Sequence, residues 1–215
     1  MFVGPRMKRD LITVTPGATL EEAARLLTAH RIHHLPVVVE GNRLAGIVSD
    51  TDLRNATLEG TSGGADRGDS GRTVTVGEIM TRELVTLSPG DTLDDAMLVL
   101  SRQRIGALPV VEADRLVGII TKADILTALL STLDIEGLGV RVEVVLRRDV
   151  QEVARLVAAL ADQDVEVRSL VLALHGADRY AAFVRVATID VASVRDRLRE
   201  KGFIVGELSD FYEAR

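Results

Sequence analysis

The 215-residue chain predicts an α+β protein built from two similar modules followed by a third, different segment. Three observations carry this reading. Met7–Leu20 repeats as Met80–Leu93, with Pro, Gly and Thr in matching places. After one extra residue in the first copy, Arg43–Asp52 aligns with Arg115–Asp124. Beyond Leu133 the repeat stops and a new alternation of strand-like and helix-like runs begins. Ordered Pro, Gly and Asp punctuation recurring at a fixed spacing marks a duplicated structural unit.

Each copy predicts the same elements. An extended stretch, Leu11–Val14 or Leu84–Leu87, ends at Pro-Gly. Thr19 with Glu22, and Thr92 with Asp95, then have capping-box spacing, in which hydroxyl and carboxylate satisfy the free amides of a helix start. Ala23, Leu26 and Leu27 give the first helix an apolar stripe, as Ala96, Val99 and Leu100 give the second. The β-branched runs Val37–Val39 and Val110–Val111 lead through Gly41-Asn42 or Ala113-Asp114 into Leu44–Val48 and Leu116–Ile120, a hairpin pattern. A short helix follows over Asp50–Ala56 and over Lys122–Leu130. The order per copy is strand, helix, strand, strand, helix. Between the copies, the Gly-rich stretch Gly60–Gly71 reads as a flexible surface linker.

The third segment opens with a strand over Gly137–Leu146, whose Val140, Val142 and Val144 are expected inward against outward Arg141 and Glu143. Asp149 and Glu152 are placed to cap a helix striped by Val153, Leu156, Val157 and Leu160. Strands over Val165–Leu174 and Ala181–Ala187 flank a hairpin loop at His175–Asp178. A helix over Val191–Lys201 and a last strand over Phe203–Leu208 complete a β-α-β-β-α-β order, which suggests a ferredoxin-like plait. Two helices cover one sheet face, so the other calls for a partner.

Charge and composition exclude several functions. Lys and Arg total 26 against 32 Asp and Glu, a net charge of −6, and aromatic residues are 3 % with no Trp. Neither the cationic density nor the stacking platforms of a nucleic-acid binder are present. Zero Cys removes disulfides, thiolate metal sites and thiol nucleophiles, and fits a reducing compartment. The first residues show no apolar signal region and no run approaches a membrane span, so the cytoplasm is the expected location and no membrane partner is expected. No GxSxG, HExxH or Gly-rich phosphate loop appears, and no catalytic residues are assigned.

The best ligand candidate is the duplicated Gly-x-x-Ser/Thr-x-x-Asp: Gly46, Ser49 and Asp52, then Gly118, Thr121 and Asp124. A strand delivers the chain to a helix start, where a hydroxyl and free amides can face an anion. An Asp one turn on can accept both hydroxyls of a ribose. The same spacing is a capping box, and both readings stand. Adjacent His33 and His34 lack a nearby third ligand for a metal, and are instead candidates for lining a pocket or meeting phosphate. Pro36 and Pro109 allow a strand to begin without a ladder donor, and their surroundings can line a purine-sized slot.

The duplicated Thr/Ser-Pro-Gly-x-Thr-Leu, Arg-Ile-x-x-Leu-Pro-Val-Val and Gly-x-x-Ser/Thr-x-x-Asp segments resemble the CBS domain, and the tandem over Val3–Leu133 resembles a Bateman module. The segment from Gly137 to Phe211 resembles an ACT domain, and the whole arrangement is similar to acetoin-utilisation AcuB-type proteins. The implied division is residues 3–58 for the first CBS domain, 59–73 for the linker, 74–133 for the second, and 137–211 for the ACT-like domain. The resemblance implies two clefts that take AMP, ADP or ATP, or in some relatives S-adenosylmethionine or cyclic dinucleotides, as a regulatory ligand rather than a required cofactor. It places ribose on Asp52 and Asp124 and phosphate near Ser49 and Thr121. The adenine would sit near Thr13, Val14 and Pro36, or Thr86, Leu87 and Pro109. Lys122, Arg102 and Arg104, with His33 and His34, are the phosphate candidates.

Two departures from the family pattern carry expectations. Gly4-Pro5-Arg6-Met7 stands where the second copy has Gly77-Glu78-Ile79-Met80, so a rearranged first cleft is expected. Arg147-Arg148-Asp149-Val150 lacks the Pro-Gly turn with which ACT domains approach an amino acid, so dimerisation is the expected role there. The resulting function is a non-enzymatic, adenine-nucleotide-binding regulatory homodimer or larger homo-oligomer. The alternative is a constitutive dimeric scaffold or protein-interaction subunit with vestigial clefts.

Overall fold

A computed structural model describes residues 1–62, 73–135, 137 and 139–206. It divides into two compact units, Met1–Leu126 and the chain from Thr127 onward. The first unit holds both repeats as far as Leu126, within the helix that closes the second. Its first copy contributes helix α1 (Leu20–His30), strands β1 (His34–Val39) and β2 (Arg43–Ser49), and helix α2 (Asp50–Ser62). The second copy contributes the short helix α3 (Val76–Ile79), α4 (Leu93–Arg102), β3 (Ala107–Glu112), β4 (Arg115–Thr121) and α5 (Lys122–Thr132). Thr19 and Thr92 cap α1 and α4 by accepting from the amides of Glu22 and Asp95, and Asp95 completes the box at α4.

The two hairpins join in one sheet of order β1-β2-β4-β3. Ala113 and Asp114 both have positive φ, the geometry of a tight primed turn matched to strand twist. The initial strands expected at Leu11–Val14 and Leu84–Leu87 shrink to single parallel bridges, Val14 to Val37 and Leu87 to Val110. Pro16 and Pro89, two residues on, have no amide and keep either stretch from extending as a ladder beyond the bridge. Helix α2 runs to Ser62, past the expected stop at Ala56, because each residue added to an existing helix closes another backbone bond. It therefore takes up the start of the linker expected over 59–73, of which residues 63–72 lie outside the described residues.

The copies exchange their openings. Val3 and Gly4 donate backbone amides to Asp91 and Pro89 of the second copy, at 2.8 and 2.9 Å. Val76 and Gly77 donate in the same way to Ala18 and Pro16 of the first copy, at 2.9 and 2.8 Å. Val76 and Met80 consequently sit in the first copy's core, with Leu27, Leu35, Val37 and Val48. The first opening forms turns where the second forms α3, yet both close with the same backbone bond. Met7 N–H donates to Val3 O at 2.9 Å, as Met80 N–H does to Val76 O.

The second unit contains β5 (Val140–Arg147), α6 (Val150–Ala161), β6 (Glu166–His175), β7 (Arg179–Ala187), α7 (Val191–Glu200) and β8 (Ile204–Gly206). Its antiparallel sheet has the order β6-β7-β5-β8. The end of the expected last strand, residues 207 and 208, and the domain's expected close at 211 lie outside the described residues. Val142, Val144 and Leu146 pack with Leu156, Leu198 and Val184 in the core. Val140, expected inward, is 37 % exposed because it opens the strand beyond the helices' cover. Glu152 does not close a capping box either. Its carboxylate accepts from Arg147 and Arg155, both at 2.8 Å, while Asp149 alone caps α6 by accepting from Gln151 N–H. On the opposite sheet face the Arg141 guanidinium lies over the Phe183 ring, 5.0 Å from its centroid.

Candidate functional site

Each Gly-x-x-Ser/Thr-x-x-Asp motif runs from a strand into a helix. Ser49 closes β2 and caps α2; Thr121 closes β4 and caps α5. Asp52 Oδ2 accepts from Ser49 N–H and Oγ–H, each at 2.7 Å, and Ser49 Oγ accepts from Asp52 N–H at 3.2 Å. Asp124 Oδ2 likewise accepts from Thr121 N–H at 2.9 Å and Oγ1–H at 2.6 Å. The capping-box alternative is thus present in both copies. It engages one oxygen of each carboxylate. Oδ1 of Asp124 instead faces Lys8 Nζ at 3.4 Å, an ion pair between the first copy's opening and the second copy's motif.

The motif glycines serve this exchange. A β-carbon on Gly46 would stand 2.7 Å from Met80 Sδ and 2.9 Å from Thr81 O. One on Gly118 would meet the Met7 side chain and lie 3.2 Å from Lys8 O. Without side chains at 46 and 118, each opening can pass close over the other copy's strand.

A cavity of about 480 Å³ opens beside the second motif and draws on both copies. Ile12, His34 and Pro36 come from the first copy, and Thr121 and Lys122 from the second, with Lys8 at the rim. The apolar wall suits a flat ring, and the ammonium groups suit an anion. Backbone pairing brings this wall together: Lys8 bridges Ile119 on β4, and Lys122 N–H donates to Gly106 O. A larger concavity of about 670 Å³ lies between α1 and α2, lined mainly by Leu20, Ala24, Leu27, Leu53 and Leu58, and contains no part of the Ser/Thr-x-x-Asp chemistry except the neighbouring Asp50.

The sequence-derived site residues distribute unevenly. Pro36, Thr121, Lys122, His33 and His34 line the cavity, and Asp124 adjoins it through Lys8. Val14 and Leu87 are core residues, 5 % and 7 % exposed, with backbone groups bound to β1 and β3. From the first extended stretch Leu11 and Ile12 line the cavity, and Thr13 does not. Thr86 lies in a separate hollow with Arg43, Leu44 and Ala45. Arg104 shares a second hollow with Lys122, Met97 and Ile125. Arg102 is an exposed residue in the last turn of α4, and Pro109 is buried in β3. Lys8 and Ile12 were not singled out in the sequence. Their signal lies in the duplicated alignment, where they match Thr81 and Val85.

Histidine electrostatics follow from this placement. Burial lowers the affinity of His34 for a proton below the ordinary imidazole value, with His33 and Lys122 adding to the effect and Asp50 and Asp52 opposing it. Desolvation pushes the Asp50 carboxyl up, but the hydrogen bond with His33 and the charges of Arg54 and His33 hold it below its usual range. His33 Nδ1 stands 3.4 Å from Asp50 Oδ2. Among the described residues, no group of three or more His, Asp or Glu side chains gathers for a metal ion, and no helix is long and apolar enough to cross a membrane.

Comparison with known proteins places the first unit. The CBS domain model matches residues 3–59 and 76–131, together more than half of the chain. The CBS domain-containing protein YhcV of Bacillus subtilis is 36 % identical over 119 residues, covering 55 % of this chain and 79 % of YhcV. Inosine-5′-monophosphate dehydrogenase of Korarchaeum cryptofilum is 37 % identical over 118 residues, but only 22 % of that enzyme is covered. Among solved structures, AcuB from Vibrio cholerae matches with a TM-score of 0.56 and 30 % identity, over 63 % of this chain and 96 % of that one. The CBS domain pair of MJ0100, in complex with 5′-methylthioadenosine and S-adenosyl-L-methionine, gives 0.53 and 30 %, over 60 % and 99 %. CBSX2 in complex with AMP gives 0.53 and 29 %, over 60 % and 96 %. This chain belongs to the CBS domain family, which it enters as a tandem pair.

Proposed function

We propose that the pair binds an adenosine-containing small molecule, AMP, ADP or ATP among them, and acts as a regulatory module rather than a catalyst. The carrying observation is the cavity that brings Ile12 and Pro36 of one copy to Thr121 and Lys122 of the other. Adenosine ligands in the MJ0100 and CBSX2 pairs support this reading. In it, Ile12 and Pro36 face the adenine, Oδ1 of Asp124 takes the ribose, and Thr121 with Lys122 meets phosphate. Oδ2 stays on the helix cap, so one carboxylate serves both roles with different oxygens. Ser49 and Asp52 hold the same places in the opposite cleft. A ligand that fits one packing of the copies better than another shifts their equilibrium by its differential affinity.

The second unit is read as an ACT-like, ferredoxin-like domain that pairs two chains. Its β-α-β-β-α-β order and its sheet order support that reading, and the exposed Leu172 and Leu174 on edge strand β6 support dimerisation. Zero Cys fits a cytoplasmic setting. A constitutive dimeric scaffold or protein-interaction subunit with vestigial clefts is the second reading. It is favoured by one observation: both motif aspartates cap their own helices.

Calorimetric titration of the full chain with AMP, ATP and 5′-methylthioadenosine tests the proposal. Binding that weakens at least tenfold in Asp124→Ala, with thermal unfolding still cooperative, is expected. Lack of binding by any of the three to the unaltered protein would leave the scaffold reading.

A further inference from the structure

We infer that the two clefts are sorted by charge: the one rimmed by Lys8 takes a phosphorylated adenosine, and the opposite one takes an adenosine compound without an anionic group. This rests on the ligand reading above and adds a specificity that the duplicated motif alone does not contain.

The repeat lets every residue of one cleft be compared with its counterpart in the other. The backbone shows that the counterparts are equivalently placed. Lys8 bridges Ile119 as Thr81 bridges Ile47. Lys122 N–H donates to Gly106 O as Asp50 N–H donates to His33 O. Several charged positions then cancel in the comparison. Arg31 matches Arg104, Asp10 matches Glu83, and Asp124 matches Asp52. Three positions do not cancel. Lys8 faces Thr81, His34 faces Ala107, and Lys122 faces Asp50.

The two lysine differences have the same sign, while His34, whose protonation burial disfavours, adds a neutral imidazole. The first cleft gains two ammonium groups and an imidazole, whereas the second gains a carboxylate, which already holds His33 at 3.4 Å and Arg54 at 3.6 Å. Lys8 also has a defined task. It pairs with Asp124 Oδ1 at 3.4 Å, and when ribose hydroxyls take Oδ1 its ammonium is released toward an adjoining phosphate. Thr81 offers Asp52 no such charge. A phosphate in the second cleft would approach Asp50 and Asp52 with only a hydroxyl in the place of Lys8. Like charges brought together in a partly enclosed site weaken binding steeply.

The experiment uses the full chain, with AMP as the charged probe and 5′-methylthioadenosine as the uncharged one, followed by calorimetry. AMP is expected to fill one site per chain, and 5′-methylthioadenosine to fill a further site in AMP-saturated protein. Lys8→Thr, which installs the residue found in the opposite copy, is expected to weaken AMP about 10- to 100-fold, the range of a lost charge-assisted hydrogen bond. The affinity of the second, uncharged ligand should stay within about twofold. The reciprocal Thr81→Lys is expected to create a second AMP site, a gain that misfolding cannot imitate. Equal AMP occupancy of both clefts in the unaltered protein, or equal weakening of both ligands by Lys8→Thr, overturns the sorting while leaving the ligand reading intact. Failure of both compounds to bind overturns the ligand reading and the sorting with it.

Discussion

Met7 occupies the space that a side chain on Gly118 would need: its Cγ would lie 2.8 Å from a β-carbon there. At the corresponding Gly46 the methionine is slightly farther, with Met80 Cγ at 2.9 Å, but the backbone is closer: Thr81 O would lie at 2.9 Å, against 3.2 Å for Lys8 O at Gly118. A methionine side chain can move aside, whereas a paired backbone carbonyl cannot. Gly46→Ala is therefore expected to destabilise the first unit by about 1–3 kcal/mol, the range for overpacked sites. Gly118→Ala is expected to cost less, and the double variant Met7→Ala/Gly118→Ala to recover part of that loss. Urea midpoints at unchanged slope measure all three.

The Thr121 hydroxyl both donates to Asp124 Oδ2 and accepts from Asp124 N–H. Removing it leaves the first turn of α5 without its side-chain cap. Thr121→Ala is expected to cost about 1 kcal/mol, within the span measured for lost N-caps, and Thr121→Ser only a few tenths. An alanine variant as stable as the parent would show that the cap contributes nothing to α5.

Much of this architecture is legible in the residues. The duplicated Pro-Gly and capping-box segments predict where α1 and α4 begin, and the turns at Gly41-Asn42 and Ala113-Asp114 predict both hairpins. The exchange of openings is not legible. Val3 and Val76 are equally apolar and equally placed in their copies, so periodicity cannot say which core each one fills. The site inherits that ambiguity: Lys8 belongs to one copy in sequence and to the other copy's Asp124 in space. The cavity wall takes Leu11 and Ile12 rather than Thr13 from a stretch that makes a single bridge, where no regular alternation fixes which side chain faces the cleft.

His34 links the cleft to pH. Its protonation is disfavoured in the folded chain chiefly by burial, so its folded value lies below the ordinary 6.5. The unfolded chain then binds the proton more readily, and stability rises with pH across the interval between the two values. The contribution is complete above about pH 7 and is lost as pH falls through 6.5 toward the lowered value. His34→Gln is expected to flatten the fall in melting temperature between about pH 7 and 5. An identical slope in the variant would assign that pH dependence to other groups.

Val140 and Val144 stand on the same strand with the same parity, yet one is 37 % exposed and the other fully buried. Strand alternation alone makes them equivalent; cover by α6 and α7 does not. Val144 packs among Leu156, Leu198 and Val184, so truncation removes two methyl groups and leaves a void. Val144→Ala is expected to destabilise the second unit by about 2 kcal/mol or more, transfer and cavity terms together. Val140→Ala should stay within about 0.5 kcal/mol, as surface substitutions do. Native-state hydrogen exchange of the amides that join β5 to β7 gives the readout: they should quicken in Val144→Ala and hardly change in Val140→Ala. Comparable acceleration in both variants would mean that the helices' cover extends over Val140, and that the inward face begins with the first residue of the strand.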